Sequence, residues 1–466
     1  MTYAAALTLA ALMILPAAAQ EASLPDDADI AGILSDRIGR DQANVGIAVA
    51  LIEGGETRFV SHGTLTLDGT EPVDEHTIFE AGSITKLFTN LLLAQLVDKG
   101  QIDLDAPIAD YLPEGFVMPQ QGERPITAFD LATHSAGFSG LPEELLAKGL
   151  DNPYSGYGAE QLRAWLATYV PARPSGEGFE YSNIGTALLG LAIEEVSGLS
   201  YADLVQEAIL TPLGMDESSL ALTGAAPQDM GSDTHLAMAM GHDGARDPAP
   251  NWDFEVFAPA GALRSNSADL AKFIAAASGA QPTPLQPAFE TMLARTMPVG
   301  DGTSIGLGWF ITDTGQSEIV WHNGMTGGYA SFAGFDRESG NGVVVLTNMA
   351  AQLGVNDIGM HLLNPAIPLN AQPKIRSAVE IDPALYQDYA GEYVLAPGAV
   401  VSIKAENGRL LAQLTGQQAF EIFPESESDF FYKIVDAQIS FMREDGTVKS
   451  LVLYQNGQAL PALKLQ

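Results

Sequence analysis

The residue pattern of the chain changes across a proline-containing segment, residues 364–383, and this change constrains the fold more than any other feature. Beyond it, short alternating runs of apolar and polar residues flank three dipeptides: Asn407-Gly408, Asp445-Gly446 and Asn456-Gly457. Such dipeptides favour type I′ turns, because both central residues of that turn take a positive φ. Residues 384–466 are therefore predicted to form a separate antiparallel β domain, a small barrel, with residues 364–383 as the linker.

The residues before the linker combine strand patterns at both ends with helical patterns between them. Residues 43–51 and 57–67 are apolar, β-branched runs that predict a hairpin. Further strand-like runs follow near the other end, at residues 305–312, 319–322, 330–335 and 342–346. Helical spacing dominates the stretch between them. One α+β domain over residues 25–363 is therefore predicted, an antiparallel sheet flanked by helices with a mainly helical insert.

The charge balance of the chain excludes several classes of partner. Its 466 residues include 58 acidic and 22 basic side chains, which give a formal net charge of −36. A surface this acidic repels phosphates and anionic lipid heads, so we expect no nucleic-acid partner and no peripheral membrane binding. Cysteine is absent, which excludes disulfides and a thiolate nucleophile. No two histidines stand three or four residues apart, so the sequence predicts neither a metal site nor a cofactor.

The first twenty residues resemble a targeting segment rather than part of the fold. They carry no charged side chain, and residues 4–15 form an apolar run that is too short to span a bilayer. The small residues Ala17 and Ala19 precede Gln20 and fit a signal-peptidase site. Residues 1–19 are therefore predicted to be a signal peptide, with a periplasmic or secreted mature protein and no membrane attachment after cleavage. A retained anchor or a miscalled start is the alternative.

Ser83 and Lys86 open an apolar-periodic helix that follows a short strand-like run. Residues i and i+3 of a helix share a face, so this spacing places the Lys86 side chain beside the Ser83 hydroxyl. A serine nucleophile needs a nearby base, and a lysine can act as one only if its surroundings lower its pKa. The helix N-terminus adds N–H groups that stabilise developing negative charge. A capping serine beside an exposed lysine is the structural alternative.

A second serine, Ser304, lies in a Gly-x-Ser-x-Gly string at residues 302–306. A nucleophile elbow with this string requires a strand, a sharp turn and then a helix. Residues 307–311 continue instead with a strand pattern. Ser304 is therefore predicted to be a strand residue without a catalytic role.

Two later motifs carry polar groups that suit the chemistry of a serine nucleophile. Tyr181 and Asn183 stand on either side of a serine just before a helix, where a phenol can move protons and a carboxamide can hold a substrate carbonyl. His322 and Gly324 end an apolar strand run and share one face of that strand. Glycine at that place lets a substrate backbone approach closely.

The three motifs, in this order, resemble those of the penicillin-recognising serine hydrolases of the class C β-lactamase and D-alanyl-D-alanine carboxypeptidase type, with their related esterases and D-aminopeptidases. Three flanking blocks are also similar to the family's, at residues 131–137, 212–215 and 306–309. The resemblance covers residues 40–360 and implies a β-lactamase-like fold. The terminal β segment looks like the lipocalin-like domain that some members carry.

This resemblance implies a catalytic role for three residues. Ser83 attacks a carbonyl and forms an acyl-enzyme. Lys86 activates Ser83 or holds the proton network, and Tyr181 passes the proton to the leaving group. The sequence leaves open whether Lys86 or Tyr181 is the general base.

The resemblance also implies the groups that bind substrate. Asn183 binds a substrate amide, and His322 and Gly324 line the substrate site. The backbone N–H groups of Ser83 and Met325 form the oxyanion hole. Where His322 stands, β-lactamases usually carry a lysine, which is a fixed cation for a substrate carboxylate. Histidine is mostly neutral at pH 7, so we expect weaker carboxylate anchoring and weaker β-lactam turnover.

The predicted function is that of an exported serine hydrolase that forms an acyl-enzyme on amide or ester substrates, with β-lactams and D-amino-acid peptides as the leading candidates. A carboxylesterase for short acyl esters is the second reading. A penicillin-binding or sensor module without turnover is the third. The expected partner is a small-molecule or peptide substrate, and the sequence leaves the oligomeric state open.

Overall fold

The computed structural model describes residues 23–146, 152–220, 236–350, 354–371, 376, 378–396, 399–406, 408–415, 419–433, 437–455 and 458–465. The predicted signal peptide, residues 1–19, lies outside these residues. None of the helices that the structure describes combines the length and the apolar character needed to cross a membrane.

Helices surround a central sheet in the first part of the chain. They are α1 (Asp27–Ser35), α2 (Thr85–Asp98), α3 (Ala128–Ala132), α4 (Glu143–Leu146), α5 (Ala159–Leu166), α6 (Asn183–Ser197), α7 (Tyr201–Val205), α8 (Thr211–Leu213), α9 (Ala258–Gly261), α10 (Ser267–Ala277), α11 (Gln286–Ala294) and α12 (Asn356–Leu363), and α13 (Tyr386–Tyr389) precedes the terminal β domain. As predicted, helices dominate the middle of this region, where α3 to α9 form a mainly helical insert.

The central sheet joins strands from both ends of this region. Its members are β1 (Gly46–Glu53), β2 (Glu56–Gly63), β6 (Met297–Gly300), β7 (Thr303–Ile305), β8 (Phe310–Asp313), β9 (Glu318–Met325), β10 (Ala330–Asp336) and β11 (Gly342–Thr347), while β3 (Phe79–Glu80), β4 (Ser219–Leu220) and β5 (Leu263–Ser265) form a smaller sheet. The central order is β2-β1-β11-β10-β9-β8-β7-β6, and all its pairs are antiparallel. The predicted α+β architecture is confirmed.

Strand β1 shows why the predicted strands are continuously apolar rather than alternating. Ile47, Val49 and Leu51 pack on the side covered by α1 and α12. Ala48 and Ala50 pack on the other side, against the cluster that contains α2, α10 and α11. Both faces of the strand are therefore buried, and each large apolar side chain contributes about 1.5–3 kcal/mol to stability.

One strand prediction is wrong in detail. Residues 305–312 were expected to form one strand, but the chain turns between β7 and β8. Gly308 takes a φ of 78°, and the Gly306 N–H donates to the Trp309 carbonyl at 2.8 Å. No helix follows Ser304 in this hairpin, so the exclusion of a nucleophile elbow holds.

The terminal domain is a closed antiparallel barrel of eight strands in sequential order. They are β12 (Gly391–Ala396), β13 (Ala399–Glu406), β14 (Arg409–Leu414), β15 (Phe420–Pro424), β16 (Asp429–Tyr432), β17 (Ala437–Glu444), β18 (Thr447–Gln455) and β19 (Gln458–Lys464). At the β17–β18 turn, Asp445 and Gly446 take φ values of 49° and 74°, as a type I′ turn requires. Asn407 and the Asn456-Gly457 pair lie outside the described residues. The predicted small barrel is confirmed.

The described part of residues 364–383 contacts both domains. Ile367 and Leu369 pack against the side of the central sheet that α12 covers. Ile381 packs against the barrel core, and the Val379 N–H donates to the Pro424 carbonyl of β15 at 2.8 Å. The segment that the sequence predicts as a linker is therefore packed along much of its length.

Candidate active site

Ser83 lies in a single 3₁₀ turn, Gly82–Ile84, between strand β3 and helix α2. Gly82 takes a φ of 53°, a conformation that glycine adopts without strain. The Thr85 hydroxyl donates to the Gly82 carbonyl at 2.6 Å and stiffens the turn. Ser83 keeps partial exposure to solvent, so its hydroxyl can reach a substrate.

Lys86 is buried one helical turn beyond Ser83, with 1% of its surface exposed. Its Nζ lies 3.0 Å from the Ser83 Oγ, 2.7 Å from the Asn183 Oδ1 and 2.8 Å from the Ala260 carbonyl oxygen. Burial lowers the pKa of Lys86 well below its usual value, because desolvation penalises the charged amine. The alternative of an exposed lysine is wrong.

The three neighbours of Nζ can accommodate a neutral amine as well as a charged one. The Ala260 carbonyl and the Asn183 Oδ1 can only accept, and a neutral amine has two N–H groups to give them. Its lone pair remains for the proton of the Ser83 hydroxyl. No carboxylate forms an ion pair with Lys86 within the part of the chain that the structure describes. Burial without a carboxylate partner therefore favours the neutral form that a general base requires.

Tyr181 comes to Ser83 from the loop that precedes helix α6. Its phenol is hydrogen-bonded to Ser83, while burial raises the pKa of the phenol well above its usual value. The Lys86 Nζ lies 4.9 Å from the centroid of the Tyr181 ring. Ser182 caps α6 by accepting the Gly185 N–H at 3.3 Å. The structure thus places the serine, the amine and the phenol within proton-transfer reach of one another.

Asn183 is held at both ends of its carboxamide. Its Oδ1 accepts from Lys86, and its Nδ2 donates to the Tyr154 hydroxyl at 2.9 Å. An amide nitrogen carries two hydrogens, so one hydrogen remains for a substrate carbonyl. The arrangement is compatible with the predicted binding role of Asn183.

Gly324 and Gly82 allow strand β9 to lie against the turn that carries Ser83. A Cβ on Gly324 would stand 2.8 Å from the Ser83 nitrogen and 2.1 Å from the Ala81 carbonyl oxygen. A Cβ on Gly82 would stand 2.8 Å from the Met325 nitrogen. The backbone nitrogens of Ser83 and Met325 therefore lie at one junction, as an oxyanion hole made from them requires.

We expect Gly324→Ala to lower the acylation rate by about 100- to 1,000-fold, because the added methyl group forces apart the two chains that carry the oxyanion donors. The measurement is the rate of covalent labelling by a fluorescent penicillin. Gly32→Ala is the control, since a Cβ on that glycine of α1 meets nothing within 4 Å. Unchanged labelling in a folded Gly324→Ala protein would contradict the assignment of the hole.

His322 is fully buried in the wall of the site, beside Phe310 and Tyr181, with ring centroids 5.3 Å and 6.2 Å away. Its Nδ1 lies 2.6 Å from the Asn323 carbonyl oxygen, and its Nε2 has no hydrogen-bond partner among the described residues. Burial, together with the charge of a protonated Lys86, lowers the pKa of His322 to about 3. The ring is therefore neutral at pH 7, as the sequence predicts, and it offers no cation to a substrate.

Sequence reasoning missed three groups in this site. Tyr154 holds Asn183, and the Ala260 carbonyl accepts from Lys86; nothing in the sequence pattern marks either group. His134 packs on Tyr181 with ring centroids 4.4 Å apart. It lies in the block of residues 131–137 that resembles the family's, but a lone histidine carries no further signal in the sequence. Membership of that block was the available signal.

Comparison with known protein families supports the assignment of this site. Residues 30–357, which contain all the site residues, match the Beta-lactamase family model. The chain belongs to the β-lactamase family. Residues 375–464 match a domain of unknown function (DUF3471), which corresponds here to the eight-stranded barrel. The family resemblance inferred from the motifs is confirmed.

Curated relatives of this β-lactamase-family chain carry the names of penicillin-recognising enzymes and proteins. Penicillin-binding protein 4* of Bacillus subtilis (strain 168) is 26% identical over 89% of this chain and 94% of that protein. The D-alanyl-D-alanine-carboxypeptidase/endopeptidase AmpH of Escherichia coli (strain K12) is 26% identical over 73% of this chain and 91% of that protein. The prediction of a serine hydrolase of this family is thereby confirmed.

Solved structures support the fold. An octameric penicillin-binding protein homologue from Pyrococcus abyssi, 23% identical, covers 94% of this chain and 99% of its own with a TM-score of 0.64. A class C β-lactamase, 22% identical, covers 74% of this chain and 97% of its own with a TM-score of 0.61. The β-lactamase-like fold of the α+β domain is confirmed.

Proposed function

We propose that the protein is an exported serine hydrolase that forms an acyl-enzyme on Ser83, with β-lactams or D-amino-acid peptides as substrates. The observation that carries this proposal is the chain of contacts from Tyr181 through Ser83 to the buried amine of Lys86. The names of the relatives, which are penicillin-binding proteins, carboxypeptidases and β-lactamases, support the substrate class.

Acylation begins with Lys86 as the general base. Its neutral amine takes the proton of the Ser83 hydroxyl while Oγ attacks the substrate carbonyl. The carbonyl oxygen becomes an oxyanion, which the N–H groups of Ser83 and Met325 stabilise. The C–N bond then breaks, the Tyr181 phenol gives its proton to the leaving nitrogen, and Lys86 returns a proton to Tyr181.

Deacylation uses the same groups in reverse. A water molecule attacks the ester carbonyl of the acyl-enzyme, and its proton passes to the neutral amine of Lys86, either directly or through the Tyr181 phenol, which gives its own proton to Lys86 as it takes one from the water. The Ser83 oxygen leaves and regains a proton from Lys86. Asn183 keeps the substrate amide in place through the hydrogen of Nδ2 that Tyr154 does not use. The cycle ends with the free enzyme and the hydrolysed product.

Export is part of the proposal because residues 1–19 have the composition of a signal peptide. N-terminal sequencing of protein purified from the producing cell tests the cleavage site. A mature protein that begins at Met1 would contradict export by cleavage.

A carboxylesterase is the second candidate, and the neutral, buried His322 favours it. Holding a substrate carboxylate requires a cation. Because the pKa of His322 is lowered to about 3, this histidine is uncharged near neutral pH and supplies none. Short neutral esters need no such anchor. Parallel assays with a chromogenic cephalosporin, a D-alanyl-D-alanine peptide and a p-nitrophenyl acetate ester separate the two functions. Turnover of the ester alone would replace the first proposal with the second.

We expect His322→Lys to raise kcat/KM for a chromogenic cephalosporin by about tenfold relative to that for the p-nitrophenyl ester. A lysine is longer than histidine and has a much higher intrinsic pKa, so its amine can extend beyond the buried position of the ring and attract the cephalosporin carboxylate. His62→Lys on strand β2, which lies four strands away from β9 at the sheet edge, controls for the added charge. A fall in cephalosporin turnover with unchanged melting temperature would count against the anchoring argument.

A further inference from the structure

His134 lies outside the proton chain but contacts the segment that carries Tyr181 in three ways. Its carbonyl oxygen accepts the Glu180 N–H at 2.8 Å. Its Nδ1 lies 3.2 Å from the Ser182 nitrogen. Its ring packs on the Tyr181 ring at a centroid distance of 4.4 Å. The backbone N–H groups of both residues that flank Tyr181, and the Tyr181 ring, therefore contact one residue.

The hydrogen bond from Ser182 fixes the form of the imidazole. A backbone N–H can only donate, so the Nδ1 of His134 must carry a lone pair and the ring hydrogen must be on Nε2. Burial lowers the pKa of His134 well below its usual value, and a proton on Lys86 or His322 would lower it further. The ring therefore stays neutral and keeps its acceptor at neutral pH.

His134 is itself held rigidly at the end of helix α3. It takes a φ of 55°, which is uncommon for a residue other than glycine, although asparagine and histidine are enriched there. Helix α3 begins with a full capping box between Thr127 and Asp130. The buried Asp130 also accepts from Arg124 at 2.6 Å. The position of His134 is thus set by a short helix that is fixed at its start.

From these contacts we infer that His134 is a positioning residue that holds the Tyr181 phenol on Ser83 by accepting hydrogen bonds from the backbone N–H groups of the two residues that flank the tyrosine. This inference rests on the proposed function, because it concerns the proton transfer that Tyr181 performs. The hydrogen bond between the Ser182 N–H and the His134 Nδ1 takes no part in the proton transfer itself. It sets the distance between the phenol and the nucleophile, to which proton transfer is sensitive.

Three substitutions separate the acceptor from the rest of the ring. In His134→Asn the Oδ1 takes the place of Nδ1, and asparagine tolerates the left-handed backbone. In His134→Gln the acceptor moves to the place of Nε2. His134→Leu has no acceptor and a volume similar to that of histidine. We expect Asn to retain kcat within about threefold, and Gln and Leu to lower it at least tenfold with little change in KM.

A double-mutant cycle with Tyr181→Phe measures the coupling between the two residues in kcat. A purely structural role of His134 would produce no such coupling. If His134 acts through the phenol, His134→Gln costs at least tenfold in the wild-type background and less than twofold in the Tyr181→Phe background. Equal losses in both backgrounds would overturn the inference, and so would equal activity of the Asn and Gln variants. Should the Leu variant fail to fold, the comparison of Asn with Gln decides.

Failure of the proposed function can be distinguished from failure of the positioning role. Wild-type protein that neither binds a fluorescent penicillin covalently nor hydrolyses any member of the substrate panel contradicts the proposed function. Wild-type protein that is active, with a cycle that shows no coupling between His134 and Tyr181, contradicts only the positioning role. Melting temperatures of all variants show which losses come from unfolding.

Discussion

Replacing Ser83 with alanine is expected to abolish the covalent adduct and to lower kcat/KM by at least ~10⁴-fold, since no other group can form the acyl-enzyme. The fold should persist, because the serine side chain is small, partly exposed and set in a turn whose backbone bonds remain. Intact-protein mass spectrometry after incubation with a slowly hydrolysed β-lactam measures the adduct, and peptide mapping places it on the chain.

Ser304→Ala is the matched control for this experiment. Ser304 is the serine of the Gly-x-Ser-x-Gly string, and it lies in strand β7 opposite Ile311 of β8. Its replacement should leave both the adduct and the turnover unchanged. An adduct that persists in Ser83→Ala, or one that disappears in Ser304→Ala, would transfer the nucleophile to another residue and end the mechanism proposed above.

The features that the sequence predicts correctly depend on neighbouring residues. Asp445-Gly446 forms its turn because two adjacent residues adopt positive φ, and Ser83 meets Lys86 because helix geometry fixes the i and i+3 positions. Such features follow from chain geometry alone, so the barrel hairpins and the core of the site are visible before the fold is known.

The features that the sequence misses depend on residues far apart in the chain. The Ala260 carbonyl reaches Lys86 across 174 positions, and it contributes a backbone atom, which no residue type identifies. The contact of His134 with Ser182 spans 48 positions. The turn at Gly308 was missed because residues 305–311 alternate like a strand. In the fold, a Cβ on Gly308 would lie 2.7 Å from the Asn90 side chain.

The state of Lys86 could not be deduced from the motif, because its pKa depends on burial that distant segments supply. The structure encloses the amine completely and places two obligate acceptors beside it. The phenol of Tyr181 has its pKa raised by its surroundings, so it holds its proton at neutral pH. The sequence leaves open whether Lys86 or Tyr181 is the general base. Exclusion of solvent favours Lys86, because burial lowers the pKa of the amine and raises that of the phenol.

Replacing Lys86 with methionine is expected to lower the acylation rate by at least ~1,000-fold, because the base is lost while the shape of the side chain is kept. Two buried acceptors lose their donor, so the melting temperature should also fall, in keeping with a cost of about 1–3 kcal/mol for each unsatisfied group. Lys99→Met is the control, since Lys99 is exposed at the end of the same helix. Stopped-flow labelling with a fluorescent penicillin measures the rate.

The pH dependence of acylation distinguishes the two roles of the lysine by its sign. If neutral Lys86 is the base, the rate rises with pH as the amine loses its proton, and this rise occurs well below the usual pKa of lysine because burial lowers that pKa. If a charged Lys86 serves only to lower the pKa of Tyr181, the rate falls as pH rises through the same titration. His322 does not confuse the profile near neutrality, since its pKa is lowered to about 3. A falling profile in wild type, or a rising limb that survives in Lys86→Met, would assign the base to Tyr181 instead.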